Sequence, residues 1–434
     1  MIIKSKIVPV ILSCFLLFFA IRYIYTDIFY PQFSYMGFTL RDVDDNNIYF
    51  TLFFLLSIIS FGSFLPSEIN SANKLLLVLS FFVIYIPTLA LLTLVSESSY
   101  LHYILLYVTL SICILIQAIF AKTGIVNLRI PVFSVKAYLC TFFIIMACAL
   151  CLVIFNYKFS LANIFNISDI SGLYNIRGDF REQNSEVPRL AIYALTISAK
   201  VLVPFMLFYG IERKKINIIV ISLIIQLLLF LITGQKSVFL GWFLVLGFCL
   251  FMRKRNILTL RSICYILALS FVLALTLNWM GSQALLLFVI RRIFIMPGVL
   301  GAYYHDFFIN HPNMYLSYSF LSPFIENIYN ATPPFVIGEY YFSRAEMSAN
   351  VNYLMAAFAD FSLLGMVVYT LILCSIYKVI DCIVIFKNNI RTLSLMLLPT
   401  WALLDSSLPT VILTHGLLAI LLLTIICPFK RIFP

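Results

Sequence analysis

The chain has 434 residues, of which 63% are hydrophobic and 11% charged. A water-soluble domain carries roughly 25% charged residues, so a soluble globule is excluded. The net charge of +11 does not point to nucleic acid, because the bases lie in short clusters between apolar runs, where they orient a chain in lipid.

The first apolar run, Ile7 to Phe19, follows Lys4 and Lys6 and continues through Ala20-Ile21-Arg22. It has no small-x-small cleavage site and reads as a retained span. A crossing needs about 20 apolar residues. Twelve spans are predicted, near residues 7–25, 47–65, 75–95, 101–121, 134–156, 189–211, 216–232, 237–252, 262–280, 351–380, 391–407 and 409–427. The seventh and eighth are short, and a count of eleven breaks the sidedness at one basic cluster. The expectation is an all-α polytopic integral membrane protein, residues 1–434 forming a single domain.

Sidedness follows from the bases. Lys4 and Lys6, Lys74, Lys122, Arg129 and Lys136, Arg213 to Lys215, Arg253 to Arg255 with Arg261, Lys378, Lys387 and Arg391, and Lys430 with Arg431 occupy every second gap. They account for 18 of the 29 Lys and Arg residues. The positive-inside rule then predicts both termini in the cytoplasm. Three longer segments fall outside: Asp27 to Asn46, 157–188 and 281–350. The last opens on an apolar stretch, Ser282 to Pro297, with adjacent Arg291 and Arg292. That pattern predicts a helix lying in the outer interface with its arginines lifted to water. The ten cysteines lie in or at the ends of apolar runs. Cys148 and Cys151 form a CxxC without a second pair, so small packing residues are expected, with no disulfides.

The polar residues that carry chemistry fall on the predicted outer side. Arg177 and Arg181, four apart before span six, can share a helix face or be brought by a turn toward one anion. Lys236, in the tight gap Thr233 to Ser237, is a fixed cation at a cavity mouth or a snorkelling anchor. Arg291 and Arg292 suit a phosphate or diphosphate, which arginine grips bidentately. His305 and Asp306 stand in the aromatic run Tyr303 to Phe308, where rings can stack on sugars and His or Asp can accept a hydroxyl proton. No spacing predicts a metal site. Ser348 or Asn350 is expected to cap span ten. Asp360 lies deeper in that span, and an ionisable residue there is a functional candidate or is paired with another span, with Lys200 the partner to examine.

These features resemble the Wzy-type O-antigen polymerases, the oligosaccharide repeat-unit polymerases. The resemblance rests on Thr233-Gly-Gln-Lys-Ser237, on Arg291-Arg292 with Met296-Pro297-Gly298 and the aromatics to Phe308, and on Ser348-Ala-Asn350-Val-Asn352 with Phe358-Ala-Asp360-Phe361 and Gly365. Lys236 departs from the arginine usual at that position. The resemblance implies a metal-independent glycosyltransferase of the membrane-embedded GT-C class in the bacterial inner membrane, without a cofactor. It implies transfer of a growing glycan from undecaprenyl diphosphate onto a lipid-linked repeat unit in lipopolysaccharide synthesis. Asp360, His305 and Asp306 become catalytic candidates, and Arg177, Arg181, Lys236, Arg291, Arg292, Asn350 and Asn352 become substrate-binding candidates. Besides the undecaprenyl-diphosphate-linked oligosaccharide and bilayer lipids, a chain-length regulator is an expected partner. The alternatives are an O-antigen ligase and a lipid-linked oligosaccharide flippase; the latter class usually shows internal repeats and broken helices, neither of which the sequence displays.

Overall fold

The computed structural model of the chain describes residues 2–42, 45–124, 134–158, 170–255, 257–383 and 390–427. The described residues are helical and contain no β-strand, only an isolated bridge between Glu68 and Thr259. Nine of their helices are long and apolar enough to cross a membrane, and the chain is a multi-pass membrane protein. In order they are α1 (Val8–Met36), α3 (Ala72–Val95), α4 (Tyr100–Lys122), α5 (Val135–Asn156), α7 (Arg189–Glu212), α8 (Ile216–Thr233), α10 (Leu260–Trp279), α11 (Leu286–Asn310) and α13 (Tyr353–Cys382). Between them lie α2 (Asp45–Gly62), α6 (Ile170–Glu186), α9 (Lys236–Arg255) and α12 (Pro333–Phe342). Three short helices follow, α14 (Leu393–Ala402), α15 (Leu408–Leu413) and α16 (Leu417–Ile425).

Four helices widen into π-helical segments: Ile24–Phe29, Ser80–Tyr85, Ser198–Leu202 and Leu286–Ile295. Each ends two residues before a proline, namely Pro31, Pro87, Pro204 and Pro297. A proline ring inside a helix displaces the carbonyl four residues back and removes one donor. Shifting to i→i+5 pairing relieves that clash without ending the helix.

The chain divides into two compact units. Unit 1 comprises residues 1–124, 258–378 and 403–408. One of its ends gathers residues 37–41, 94–98 and 303–306. There Arg41 N donates to Leu94 O at 2.8 Å, Thr39 N to the Tyr303 hydroxyl at 2.9 Å, and Glu97 N to Asp306 Oδ2 at 2.8 Å. At the other end Ile69 N meets Leu258 O at 2.8 Å, and Lys378 Nζ meets Thr123 O at 2.7 Å. Lys74, Lys122, Arg261 and Lys378 all lie at this second end, and Lys122 Nζ is 5.4 Å from the Phe64 ring centroid.

Helix α11 does not stop at Pro297 as the predicted interfacial helix would. It runs on to Asn310, because the π segment before Pro297 accommodates the ring. Its contacts nevertheless keep both of its halves toward the first end. Arg291 lies over Phe29 and Phe33, in the last turns of α1, while Asp306 holds the turn after α3. Between them, Gly298 and Gly301 press against Pro87 and Thr88.

Unit 2 comprises residues 125–257, 379–402 and 409–434. Its basic turn, Arg213 to Lys215, joins α7 to α8, and beside it Arg391 Nη1 meets Glu212 Oε1 at 3.0 Å. Gln226 of α8 donates to Ala199 O at 3.2 Å, a carbonyl within the π segment of α7, and to Val238 O of α9 at 2.6 Å. The Lys200 ammonium meets Nδ1 of His415, so Lys200 has a partner within its own unit. The predicted last two spans, 391–407 and 409–427, are instead α14, α15 and α16. The turn from Leu403 to Ser407 cuts the first short, and Gly416, at φ 86°, interrupts the second.

Candidate functional site

The sequence 351–380 reads as one apolar helix, yet α13 is two helices. At Phe361 (φ −142°, ψ 24°) and Ser362 (φ 57°, ψ −152°) the backbone leaves the helical region. A half-helix from Tyr353 to Asp360 precedes the break, and a long helix follows it. The half-helix points from the interior of unit 1 toward the first end. Its Tyr353 hydroxyl accepts from Gln117, deep on α4, at 2.8 Å, and its Phe358 ring lies 5.4 Å from that of His305. The long helix returns to Lys378 at the second end. The two pack closely because position 365 is glycine: a Cβ there would press into the carbonyl of Ala357.

Both ends of the half-helix are capped from within unit 1. At its start the Asn352 side-chain oxygen accepts from Leu354 N at 3.1 Å and Met355 N at 3.2 Å, as an N-cap does. The cap expected at Ser348 or Asn350 is thus at Asn352, while Ser348 Oγ donates to Asn350 Oδ1 at 3.0 Å. At its finish, a loop supplies donors for the orphan carbonyls. Asn313 Nδ2 reaches Phe358 O at 2.9 Å, Met314 N reaches Ala359 O at 2.9 Å, and Tyr315 N reaches Asp360 O at 3.1 Å. This loop carries two non-glycine residues at positive φ, Tyr315 and Leu316.

Asp360 stands at the break and is fully buried, at 0% exposure. Its Oδ2 accepts from the Tyr369 hydroxyl at 2.9 Å and from the Tyr318 hydroxyl at 3.3 Å. Burial, reinforced by the nearby carboxyl, pushes the Tyr318 phenol far above its ordinary value, so it remains a donor. Oδ1 makes no hydrogen bond. A buried acceptor with one oxygen anchored and the other without a hydrogen bond is a candidate to receive a proton or a donor group.

The other two catalytic candidates differ. Asp306 accepts from Ser96 Oγ at 2.5 Å, from Ser98 Oγ, and from Glu97 N at 2.8 Å. It pins the turn between α3 and α4. His305 is 1% exposed, and its Nδ1 lies 3.6 Å from Asp306 Oδ1, an ion-pair distance longer than a normal hydrogen bond. Its ring faces the half-helix at Phe358. The aromatic run is largely closed upon itself: Tyr303 stacks on Tyr341 at 4.2 Å and Phe307 on His311 at 4.1 Å. Tyr340, 59% exposed, keeps a free surface.

Arg291 is half-buried, with its guanidinium 4.6 Å from the Phe33 ring and 5.3 Å from that of Phe29. Such cation–π seating holds the group at a defined place. Arg292 is exposed. Asn350 is exposed and Asn352 buried. Unit 1 thus brings together Asp360, His305, Asn352 and the docking loop, with Arg291 at the same end. Arg177, Arg181 and Lys236 belong to unit 2. Arg177 and Arg181 lie on helix α6, not on a loop; the Arg177 side chain falls outside the described residues, as do residues 159–169, and Arg181 is exposed. Lys236 is exposed at the start of α9, just after Gly234 in the left-handed region. No group of three metal-ligating side chains occurs among the described residues.

Sequence reasoning missed Tyr318, Tyr369 and the break itself. It also passed over Arg22, whose Nη1 donates to Ala90 O and Thr93 Oγ1, each at 2.9 Å; its signal was a charge inside an apolar run. Comparison with models of protein families, with curated proteins and with solved structures found no match.

Proposed function

We propose that the chain is an O-antigen polymerase, a glycosyltransferase of the bacterial inner membrane acting at its periplasmic face. The observation that carries this reading is Asp360: a carboxylate enclosed at a helix break, with Oδ2 held by two tyrosine hydroxyls and Oδ1 buried without a hydrogen bond. The basic residues at the opposite end of unit 1 support an orientation with that end cytoplasmic and Asp360 toward the periplasm. In the reaction, a hydroxyl of the lipid-linked repeat unit attacks the anomeric carbon of the growing glycan. The bond from that carbon to undecaprenyl diphosphate breaks, and the hydroxyl proton passes to Asp360 Oδ1. Undecaprenyl diphosphate departs with the bonding electrons. Arg291, held on Phe29 and Phe33, is placed to meet the diphosphate, whose negative charge grows as the bond breaks; a preorganised cation stabilises that charge more than the ground state. A chain-length regulator is assigned to the periplasmic surface.

A second reading is favoured by one observation: the interruptions at Phe361–Ser362 and in 403–407 are of the kind that transporters use. The lipopolysaccharide of a deletion strain separates the readings. Loss of a polymerase leaves core carrying a single repeat unit. Loss of a ligase leaves core alone, and loss of a flippase removes surface glycan. Core bearing one repeat supports the polymerase; either other pattern rejects it.

A further inference from the structure

The long helix of α13 fixes a depth within unit 1. The ammonium of Lys378 meets Thr123 O at the basic end. From Ser362 to Lys378 the helix rises about 24 Å at ~1.5 Å per residue, most of a hydrocarbon core ~30 Å thick. Leu364, Val368, Leu371 and Ile372 are exposed; they recur at helical spacing and give this helix a lipid-facing stripe. The break at Phe361 and Ser362 therefore stands near the opposite boundary of the hydrocarbon, where that stripe begins.

The loop that caps Asp360 sits at this boundary. Its Tyr315 ring lies 6.0 Å from that of Phe361, and Phe361 packs in turn beside Gly365, at the start of the long helix. Tyr315 is exposed and Phe361 half-exposed, so the apolar surface of the helix continues onto the loop. Further along, Phe320, Phe324 and Ile328 are exposed, Phe324 to 84%. Between Pro312 and Phe335 the sequence has one charged residue, Glu326. An exposed apolar patch of this kind marks a contact surface. Aromatic and aliphatic side chains at the level of the headgroups bury themselves at the acyl boundary.

We propose that the segment from Tyr315 to Ile328 docks on the membrane leaflet opposite the basic end, with Phe320, Phe324 and Ile328 inserted at the acyl boundary. The occupant of this surface is phospholipid, because the patch is continuous with the lipid-facing stripe of α13. Tyr318, whose hydroxyl donates to Asp360 Oδ2 at 3.3 Å, belongs to the same segment, so one loop both closes over the carboxylate and holds to the bilayer. The contact needs only a multi-pass fold and is independent of the reaction that Asp360 serves.

The test is spin labelling of the full chain in phospholipid nanodiscs. Cys140, Cys148 and Cys151, which are exposed, are first replaced by alanine. Nitroxides are then attached at Phe320→Cys and Phe324→Cys, at Leu371→Cys on the lipid-facing stripe, and at Glu97→Cys, exposed on the turn after α3. The collision rate with oxygen, which concentrates in lipid, is divided by that with a polar nickel chelate, which stays in water. The ratio at 320 and 324 is expected to exceed that at 97 at least about five-fold, on the side of 371. A ratio at 320 and 324 no greater than at 97 places the loop in water and overturns the docking. Low collision rates with both reagents overturn it too, since protein then covers the patch.

Discussion

Enclosing a carboxylate costs free energy unless its oxygens are satisfied, and Asp360 has only one oxygen engaged. Residues that depart from full satisfaction concentrate where chemistry occurs. Asp360→Asn keeps the size and an acceptor for the two tyrosines but removes the base. Turnover of purified lipid-linked repeat units should fall about 10²–10⁴-fold with the protein at normal levels; unchanged turnover would remove Asp360 from the chemistry. The paired arginines differ in surroundings and so should differ in effect. Arg291→Ala is expected to cost about 10²–10³ in rate, the range for losing one preorganised donor to a developing anion. Arg291→Lys should fail substantially too, because a point charge lacks the bidentate fork. Arg292→Ala, at an exposed position, should leave the rate within about two-fold. Equal defects at both positions would contradict the placement of Arg291 on its aromatic seat.

At the scale of elements, the hairpin of α13 depends on two residues whose conformation and space are unusual. Ser362 holds φ 57° with ψ −152°, a region close to one populated almost solely by glycine, and such strain costs about 1–3 kcal/mol. Ser362→Gly should therefore raise the thermal midpoint of the purified protein, and Ser362→Val should lower it. Gly365→Ala forces a Cβ against the Ala357 carbonyl and should reduce the monodisperse fraction on size exclusion. Gly247→Ala, with nothing within 4 Å of the new Cβ, should be neutral or stabilising by about 0.5–1 kcal/mol. If Gly365→Ala matches Gly247→Ala, the close packing of the hairpin is wrong. These elements also mark the reach of the sequence. The long apolar helices α3, α4, α5, α7 and α8 were legible because length and apolarity specify a crossing directly. The prolines at 31, 87, 204 and 297 carried a signal for the π segments. The break after Asp360 carried none: neither glycine nor proline occupies positions 361 and 362. It arises from a loop some 45 residues upstream that caps the carbonyls of Phe358 to Asp360, a tertiary contact that local pattern cannot report. For the same reason Asp360 was legible as a candidate, whereas its partners Tyr318 and Tyr369 were not.

For the whole molecule, the basic clusters predict which side of the membrane each loop faces. In unit 1, Lys74, Lys122, Arg261 and Lys378 lie at one end, and Asp306, His305 and the loop docked on Asp360 lie toward the other, with Arg41 and Arg291. Cysteine placed at Asn313 should react with an impermeant reagent in intact spheroplasts, and cysteine placed at Lys214 only after lysis; the reverse pattern would invert the protein. Orientation, however, is shared by polymerase, ligase and flippase alike. The claim that separates them is bond formation between repeat units, and it can be measured on the purified protein in nanodiscs supplied only with undecaprenyl-diphosphate-linked repeat units. The account predicts a ladder of glycolipids two or more repeats long, with release of undecaprenyl diphosphate, which Asp360→Asn abolishes. A single-repeat glycolipid left unextended by folded, lipid-embedded protein would contradict it.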